Sequence, residues 1–267
     1  MAATYLDAIL AHHRARAAAD RRSRDELEAA AALGGPVRPF LADAPARPVR
    51  GAGDLAVIAE VKRRSPARGP LAEELDHAQL ATAYAAGGAR ALSVLTDAPH
   101  FGGSPADLRV ARGACGLPVL RKDFIVAESD CYDARAMGAD ALLLIVAALD
   151  DAELARLHAR AGALGLAVLV EVHDEAELAR ALRVGARLVG VNQRDLHSFA
   201  VDTTRAARVG ALIPEGVVRV AESGIRDAAD MARLADAGFH AALVGEALVR
   251  APDPSAALRA LRGVPGA

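Results

Sequence analysis

The sequence predicts an α/β fold, a (β/α)8 TIM barrel with an N-terminal helical extension. Three observations predict it. Short apolar runs recur at the spacing of a βα unit, roughly 20–35 residues, with helical stretches between them. The runs are continuously apolar rather than alternating, as parallel strands buried on both faces require. Ionisable and amide side chains gather at the C-terminal ends of the runs, where barrel enzymes carry their sites.

The elements follow in order. Residues 4–32 read as one or two amphipathic helices, with Leu6, Ile9 and Leu10 on one face and Leu27 anchoring the second. Residues 34–53, rich in Gly, Pro and Arg, read as a connector. The chain therefore divides into an extension over residues 1–50, packed on a barrel over residues 51–267. Strands are predicted at 57–61, 91–95, 118–121, 141–146, 167–172, 187–191, 217–221 and 241–244. Helical spacing covers 76–86, 150–163, 175–182, 227–237 and 254–261. Gly87-Gly88, Gly138, Gly185 and Gly238 stand where helix C-caps belong. Gly88-Ala89-Arg90, Gly138-Ala139-Asp140 and Gly185-Ala186-Arg187 repeat one pattern before three of the strands. A doubly wound sheet is the competing fold. It normally shows a Gly-rich fingerprint after its first strand, and Lys62-Arg63-Arg64-Ser65-Pro66 stands there instead.

Composition narrows the function. The 267 residues are 53% hydrophobic, enough for a large core. The net charge is -2 and no basic block with interleaved aromatics occurs, which argues against a nucleic-acid partner. The longest apolar stretch, residues 141–149, is too short to cross a bilayer, and the N-terminus carries no secretory core. Cys115 and Cys131 have no metal-like spacing, and the eight histidines form no ligand pattern. The expectation is a cytoplasmic enzyme without cofactor or metal, a monomer or weak homodimer.

Rare residues mark the site. Of 32 Lys plus Arg, only Lys62 and Lys122 are lysines, and Asn192 is the one asparagine. A lysine can shift its pKa and give up a proton, whereas arginine stays charged. All three follow apolar runs. Glu60 and Lys62, two apart, share one face of their strand, as barrel-mouth groups or as a surface pair on an edge strand. Lys122 reads as an ion-pair partner, a Schiff-base nucleophile or a general acid. Glu171 reads as a lysine's partner or a proton relay. Glu222-Ser223-Gly224-Ile225 and Val244-Gly245-Glu246-Ala247-Leu248 stand at the usual phosphate position of barrels, or are ordinary turns. The basic loop from Arg63 to Pro70 suits a lid over an anionic substrate or a solvated loop.

Six motifs in order resemble the indole-3-glycerol-phosphate synthase family of tryptophan biosynthesis, over about residues 4–250. They are Glu60-Val61-Lys62 with Ser65-Pro66 and Gly69; Ser93-Val94-Leu95-Thr96-Asp97 with Phe101-Gly102-Gly103-Ser104; Leu120-Arg121-Lys122-Asp123-Phe124-Ile125; Val170-Glu171-Val172; Gly190-Val191-Asn192-Gln193-Arg194-Asp195-Leu196; and Ala221-Glu222-Ser223-Gly224-Ile225. The resemblance implies a cofactor-free carboxy-lyase acting on a phosphorylated small molecule. It implies that Lys122 is the general acid and that Glu60, Lys62, Glu171 and Asn192 position substrate and assist, with Glu222 holding the network. It gives phosphate to Ser223, Gly224, Gly245 and Glu246, with help from Lys62. It gives the anthranilate moiety to Ser65, Pro66, Phe101, Phe124, Arg194 and Leu196. Ala67-Arg68, Gln193 and Glu246 depart from the family's common residues. Phosphoribosylanthranilate isomerase is a rival barrel, but it needs a cysteine where Glu60 and Lys62 stand. A Schiff-base aldolase barrel is a second rival, and a catalytically silent scaffold is the rival outside enzymes.

Overall fold

A computed structural model describes residues 4–41, 53–65, 69–72, 74–195 and 198–264. Among these, eight parallel strands close into a barrel. They are β1 (Ala56–Val61), β2 (Ala91–Leu95), β3 (Val119–Lys122), β4 (Ala141–Ile145), β5 (Ala167–Val172), β6 (Leu188–Asn192), β7 (Val218–Glu222) and β8 (Ala241–Val244). Each pairs with its sequence neighbours, and β1 closes the ring by pairing with both β2 and β8. The boundary expected at residue 50 lies outside the described residues. No helix among them is long and apolar enough to cross a membrane.

Helices α1 (Tyr5–Ala19) and α2 (Arg24–Ala32) form the extension, each opened by a capping box, at Thr4 and at Ser23. The buried face of α1 runs Leu6, Ile9, His13. Leu10, expected on that face, is half-buried and packs against the core. Leu27 and Ala31 of α2 pack on Tyr132, which belongs to α3 (Glu128–Ala136).

Two sequence expectations shift in detail. The strand expected to reach residue 146 ends at Ile145, and Val146–Ala148 forms a 3-10 turn. The carbonyls leaving the ladder there are taken by Arg180, whose Nη1 donates to Val146 O at 3.0 Å. Gly88, Gly138, Gly185 and Gly238 do adopt the left-handed conformation, with φ of 89°, 87°, 78° and 83°. Gly87 is instead helical and buried, at the contact with Ser255 and Leu258.

A fully buried carboxylate sits at the N-terminal end of the barrel. Asp140, just before β4, is fully buried. It accepts from the Arg38 N–H at 2.7 Å, the Val119 N–H at 2.8 Å and Arg112 at 3.0 Å. Arg38 in turn donates to the carbonyls of Arg112, Cys115 and Leu117. The connector is thus stitched to the barrel base. Asp140→Ala leaves two backbone donors and a guanidinium without their acceptor, so urea unfolding should show a loss of about 3 kcal/mol. Turnover of the folded variant should stay within about twofold, because the base of a barrel serves stability rather than chemistry.

Candidate active site

The polar strand ends form two separate clusters. The inner one lies on the floor of a cavity of about 670 Å³ at the C-terminal mouth. Glu60, Lys62, Lys122, Glu171, Asn192 and Glu222 all line it. Register explains the convergence. Glu171 is level with Ile145 and Gly190, and Asn192 is level with Glu222. The stagger of a closed barrel brings these ends to one height on the inner wall.

Lys122 Nζ donates to Glu171 Oε2 at 3.3 Å and lies 3.7 Å from Glu222 Oε2. Its side chain is 16% exposed, reachable from the cavity but largely out of water. Asn192 Nδ2 donates to Glu171 Oε1 at 3.1 Å, and Asn192 Oδ1 accepts from the Arg194 N–H at 3.0 Å. The amide is therefore held from both sides. Lys62 and Glu60 form an ion pair on one strand face, as their spacing predicts. Of the two readings of that pair, the barrel mouth holds.

Three carboxyl groups, of Glu60, Glu171 and Glu222, face two ammonium groups on this floor, so the charges balance when one carboxyl holds a proton. Burial alone would push the Lys122 pKa down. The carboxylates of Glu171, Glu222 and Glu60 outweigh it and hold the pKa above the ordinary lysine range. Burial would raise Glu171, but Lys122, His173 and the Asn192 hydrogen bond hold it below its usual value. Glu222 has the opposite fate. Burial, then repulsion from Glu171, raise it well above the carboxylate range despite Lys122. Its Oε1 also has no hydrogen-bond partner. Of the pair, Glu171 is held toward its ionised form and Glu222 toward its protonated form.

Glycine makes the room for Glu222. A Cβ on Gly190 would collide with Glu222 Oε1 and stand 3.2 Å from its carboxyl carbon and 3.3 Å from Leu169 Cδ1. Gly190→Ala should leave the fold intact, since a side-chain end can move. It should lower kcat about tenfold or more, because the displaced carboxyl drags the Lys122 partners out of place. Steady-state kinetics beside a thermal melt checks this.

The cavity lining holds two chemically different sets of residues. One is Phe101, Phe124, Phe199 and Arg194. The Phe101 and Phe124 rings lie 6.2 Å apart, and Arg194 Nη1 donates to Phe199 O at 3.0 Å. The other is Ser223, Gly224, Gly245, Glu246, Arg226 and Arg250. Ser223 and Gly224 both have positive φ, 67° and 73°, a conformation a serine adopts only under constraint. Gln193 Nε2 donates to Ser223 O at 2.7 Å and fastens this turn. A Cβ on Gly245 would strike Glu60 and stand 3.1 Å from Lys62 Nζ, so Lys62 lies beside that turn. Pro66 and Leu196 lie outside the described residues, and Ser65 is described only in its backbone. Arg63, at the head of the basic loop, is tied to Asp107 and to Gly102 O at 3.0 Å.

The outer cluster is built on the second and third strand ends. Thr96, Asp97 and Asp123 do not join the inner network. Thr96 Oγ1 donates to Asp123 Oδ2 at 2.6 Å, and the buried Arg121 donates to the same oxygen at 2.7 Å. His13 of α1 reaches Asp97 at 2.9 Å. Burial would raise the Asp97 pKa, yet hydrogen bonds from His13 and His100 hold it far below its normal value. Asp123 is likewise lowered against burial, first by Arg121. The His13 ring lies 5.6 Å from Phe124, and Tyr5 meets His100 and Phe199 edge-on. The extension thus backs the aromatic residues of the cavity lining. Sequence reasoning missed His13, Arg121, Phe199, Arg226 and Arg250.

A family model described as indole-3-glycerol phosphate synthase matches residues 6–261. The chain belongs to the indole-3-glycerol phosphate synthase family. The Streptomyces coelicolor protein named indole-3-glycerol phosphate synthase 2 is 52% identical, over 91% of this chain and 92% of its own length. An indole-3-glycerol phosphate synthase of Nocardioides is 56% identical, over 80% and 82%. That of Mycobacterium avium is 48% identical, over 96% and 93%. Among solved structures, a 3-hexulose-6-phosphate synthase superposes with a TM-score of 0.61 at 18% identity, covering 79% of this chain and 99% of its own. At that identity the likeness is one of fold, and the fold is the TIM barrel.

Proposed function

We propose that Lys122 is the general acid and Glu171 the ionised carboxylate base when this barrel closes 1-(2-carboxyphenylamino)-1-deoxyribulose 5-phosphate to indole-3-glycerol phosphate. Ring closure with loss of carbon dioxide and water is the activity of the family, a carboxy-lyase step in tryptophan synthesis. One observation carries the residue assignment. The Lys122 ammonium stands between Glu171 and Glu222 on the floor of a cavity lined by aromatic and basic residues.

The chemistry fits these groups. Lys122 gives a proton to the ketose carbonyl, and the carbon becomes electrophilic enough for the aromatic carbon bearing the carboxylate to attack. The new carbon–carbon bond leaves the ring cationic. The breaking bond to carbon dioxide returns its electron pair to the ring, so no electron-sink cofactor is needed. Water then leaves: the hydroxyl departs with a proton from an acid, and a base takes the proton of the neighbouring methylene. Glu171 is held ionised for the base role. Glu60, Lys62 and Asn192 position the sugar, and Glu222 holds the network.

Phe101, Phe124 and Arg194 suit an anthranilate ring and its carboxylate. Lys62, with the Ser223-Gly224 and Gly245-Glu246 turns, suits the phosphate, with Glu246 contributing its backbone N–H. Ser65, Pro66 and Leu196 remain assigned to the anthranilate by resemblance. A Schiff-base role for Lys122 is disfavoured by its surroundings, which keep the amine protonated and so not nucleophilic. We place the enzyme in the cytoplasm as a monomer or weak homodimer. Purified protein supplied with the carboxyphenylamino-deoxyribulose phosphate should develop indole fluorescence without added metal or cofactor. A folded enzyme that leaves this substrate unchanged would sink the reading.

A further inference from the structure

His173 stands just past the end of β5, two residues beyond Glu171, and does not line the cavity. Its Nδ1 lies 3.0 Å from Glu177 Oε2, and its backbone N–H donates to the same oxygen at 2.8 Å. Glu177 belongs to α4 (Glu175–Arg183), which packs against β5. The other ring nitrogen, Nε2, is buried with no hydrogen-bond partner and sits 3.5 Å from Glu171 Oε1.

This geometry dictates a charge. A neutral imidazole donating from Nδ1 to Glu177 would turn the bare Nε2 lone pair toward a carboxylate, which repels it. A second proton on the ring replaces that repulsion with attraction to both Glu177 and Glu171. Arg205, on α5 (Arg205–Gly210), is the opposing charge, but its Nη1 is engaged with Asn192 O at 3.1 Å. Asn192 Nδ2 occupies the other approach to Glu171 Oε1. Burial would lower the His173 pKa, and Glu177 with Glu171 outweigh it, so the imidazole holds its proton more tightly than a free histidine.

We propose that His173, fixed by Glu177, is a positioning residue that keeps Glu171 ionised from outside the cavity and so sets the acid limb of the reaction. The proposal rests on the reading of Glu171 as the catalytic base. Activity is lost as pH falls and Glu171 takes up a proton. Removing a neighbouring cation makes that uptake easier, so the loss should begin at higher pH.

The test is the pH dependence of kcat/KM for wild type and His173→Gln, which keeps an N–H donor and size but no charge. The acid limb should move up by about one pH unit, the size of a nearby charge acting on a carboxylate. KM near neutrality should change little. Glu177→Gln should move the limb the same way by less. Superimposable acid limbs in all three proteins would overturn the proposal, and so would a general structural defect, which lowers the whole profile without moving it. A second readout needs no turnover. The His173 imidazole, followed by NMR titration, should lose its proton at lower pH in Glu171→Gln than in wild type. An unchanged titration overturns the coupling even if the enzyme proved to use another substrate. A wild type inactive on the proposed substrate defeats the functional reading alone.

Discussion

Lys122→Arg is expected to lower kcat by about a hundredfold or more, the usual size of a lost general acid, while KM and the unfolding midpoint change little. Arginine is the discriminating replacement. It keeps a positive charge opposite Glu171, so that buried carboxylate is not left without a partner. What it removes is the transferable proton, because a guanidinium does not deprotonate in a protein. Lys122→Met would remove charge and proton together, and its lost stability would blur the result. The measurement is indole fluorescence under saturating substrate, beside a urea melt of each protein. Near-normal turnover in the arginine variant would take Lys122 out of the acid role and leave it an electrostatic anchor.

Much of this site is legible in the sequence because two signals are local. Each apolar run names its own strand, and the residue just past it falls at the mouth. Lys62, Lys122, Glu171, Asn192 and Glu222 are therefore found by position along the chain alone. The helix ends at Gly138, Gly185 and Gly238 are legible for the same reason, since a left-handed cap is a property of one residue. What the sequence hides depends on contacts between distant segments. His13 and Asp97 are 84 residues apart, and Arg38 meets Asp140 across 102. His13 reads as part of a charged surface, yet it is buried and completes an apolar helix face. Arg121 sits inside a strand-like run next to Lys122, and only the pleat decides that the two point to opposite sides. The direction of Thr96 and Asp97 is hidden by the same logic. The strand ends at Leu95, and beyond it strand alternation no longer says which way a side chain turns.

Glu171→Gln and Glu222→Gln should differ sharply although both remove one carboxylate from the same network. Burial and Glu171 push Glu222 toward its neutral form in the folded protein, so an amide of its shape should change the charge around Lys122 less than the same change at Glu171. Glu222→Gln should keep kcat within about fivefold, whereas Glu171→Gln removes a base and should cost about a hundredfold. Stability should separate them too, and the sign comes from proton linkage. The folded pKa of Glu222 is raised, so above the ordinary carboxyl range the folded state binds a proton that the unfolded chain has released. Wild-type stability must then fall as pH climbs from that range toward the raised value. Glutamine removes this requirement, so Glu222→Gln should gain on wild type in urea midpoint between about pH 5 and pH 8, and gain more at the higher pH. Glu171 is lowered, so its ion pair with Lys122 stabilises the protein above the ordinary carboxyl range and is lost only in acid. Glu171→Gln should therefore be less stable than wild type at neutral pH and converge with it as pH falls. If the two variants instead lost activity equally and followed parallel pH–stability curves, the proton would not belong to Glu222. The carboxyl pair would then have to be treated as one shared site, with no fixed acid and base.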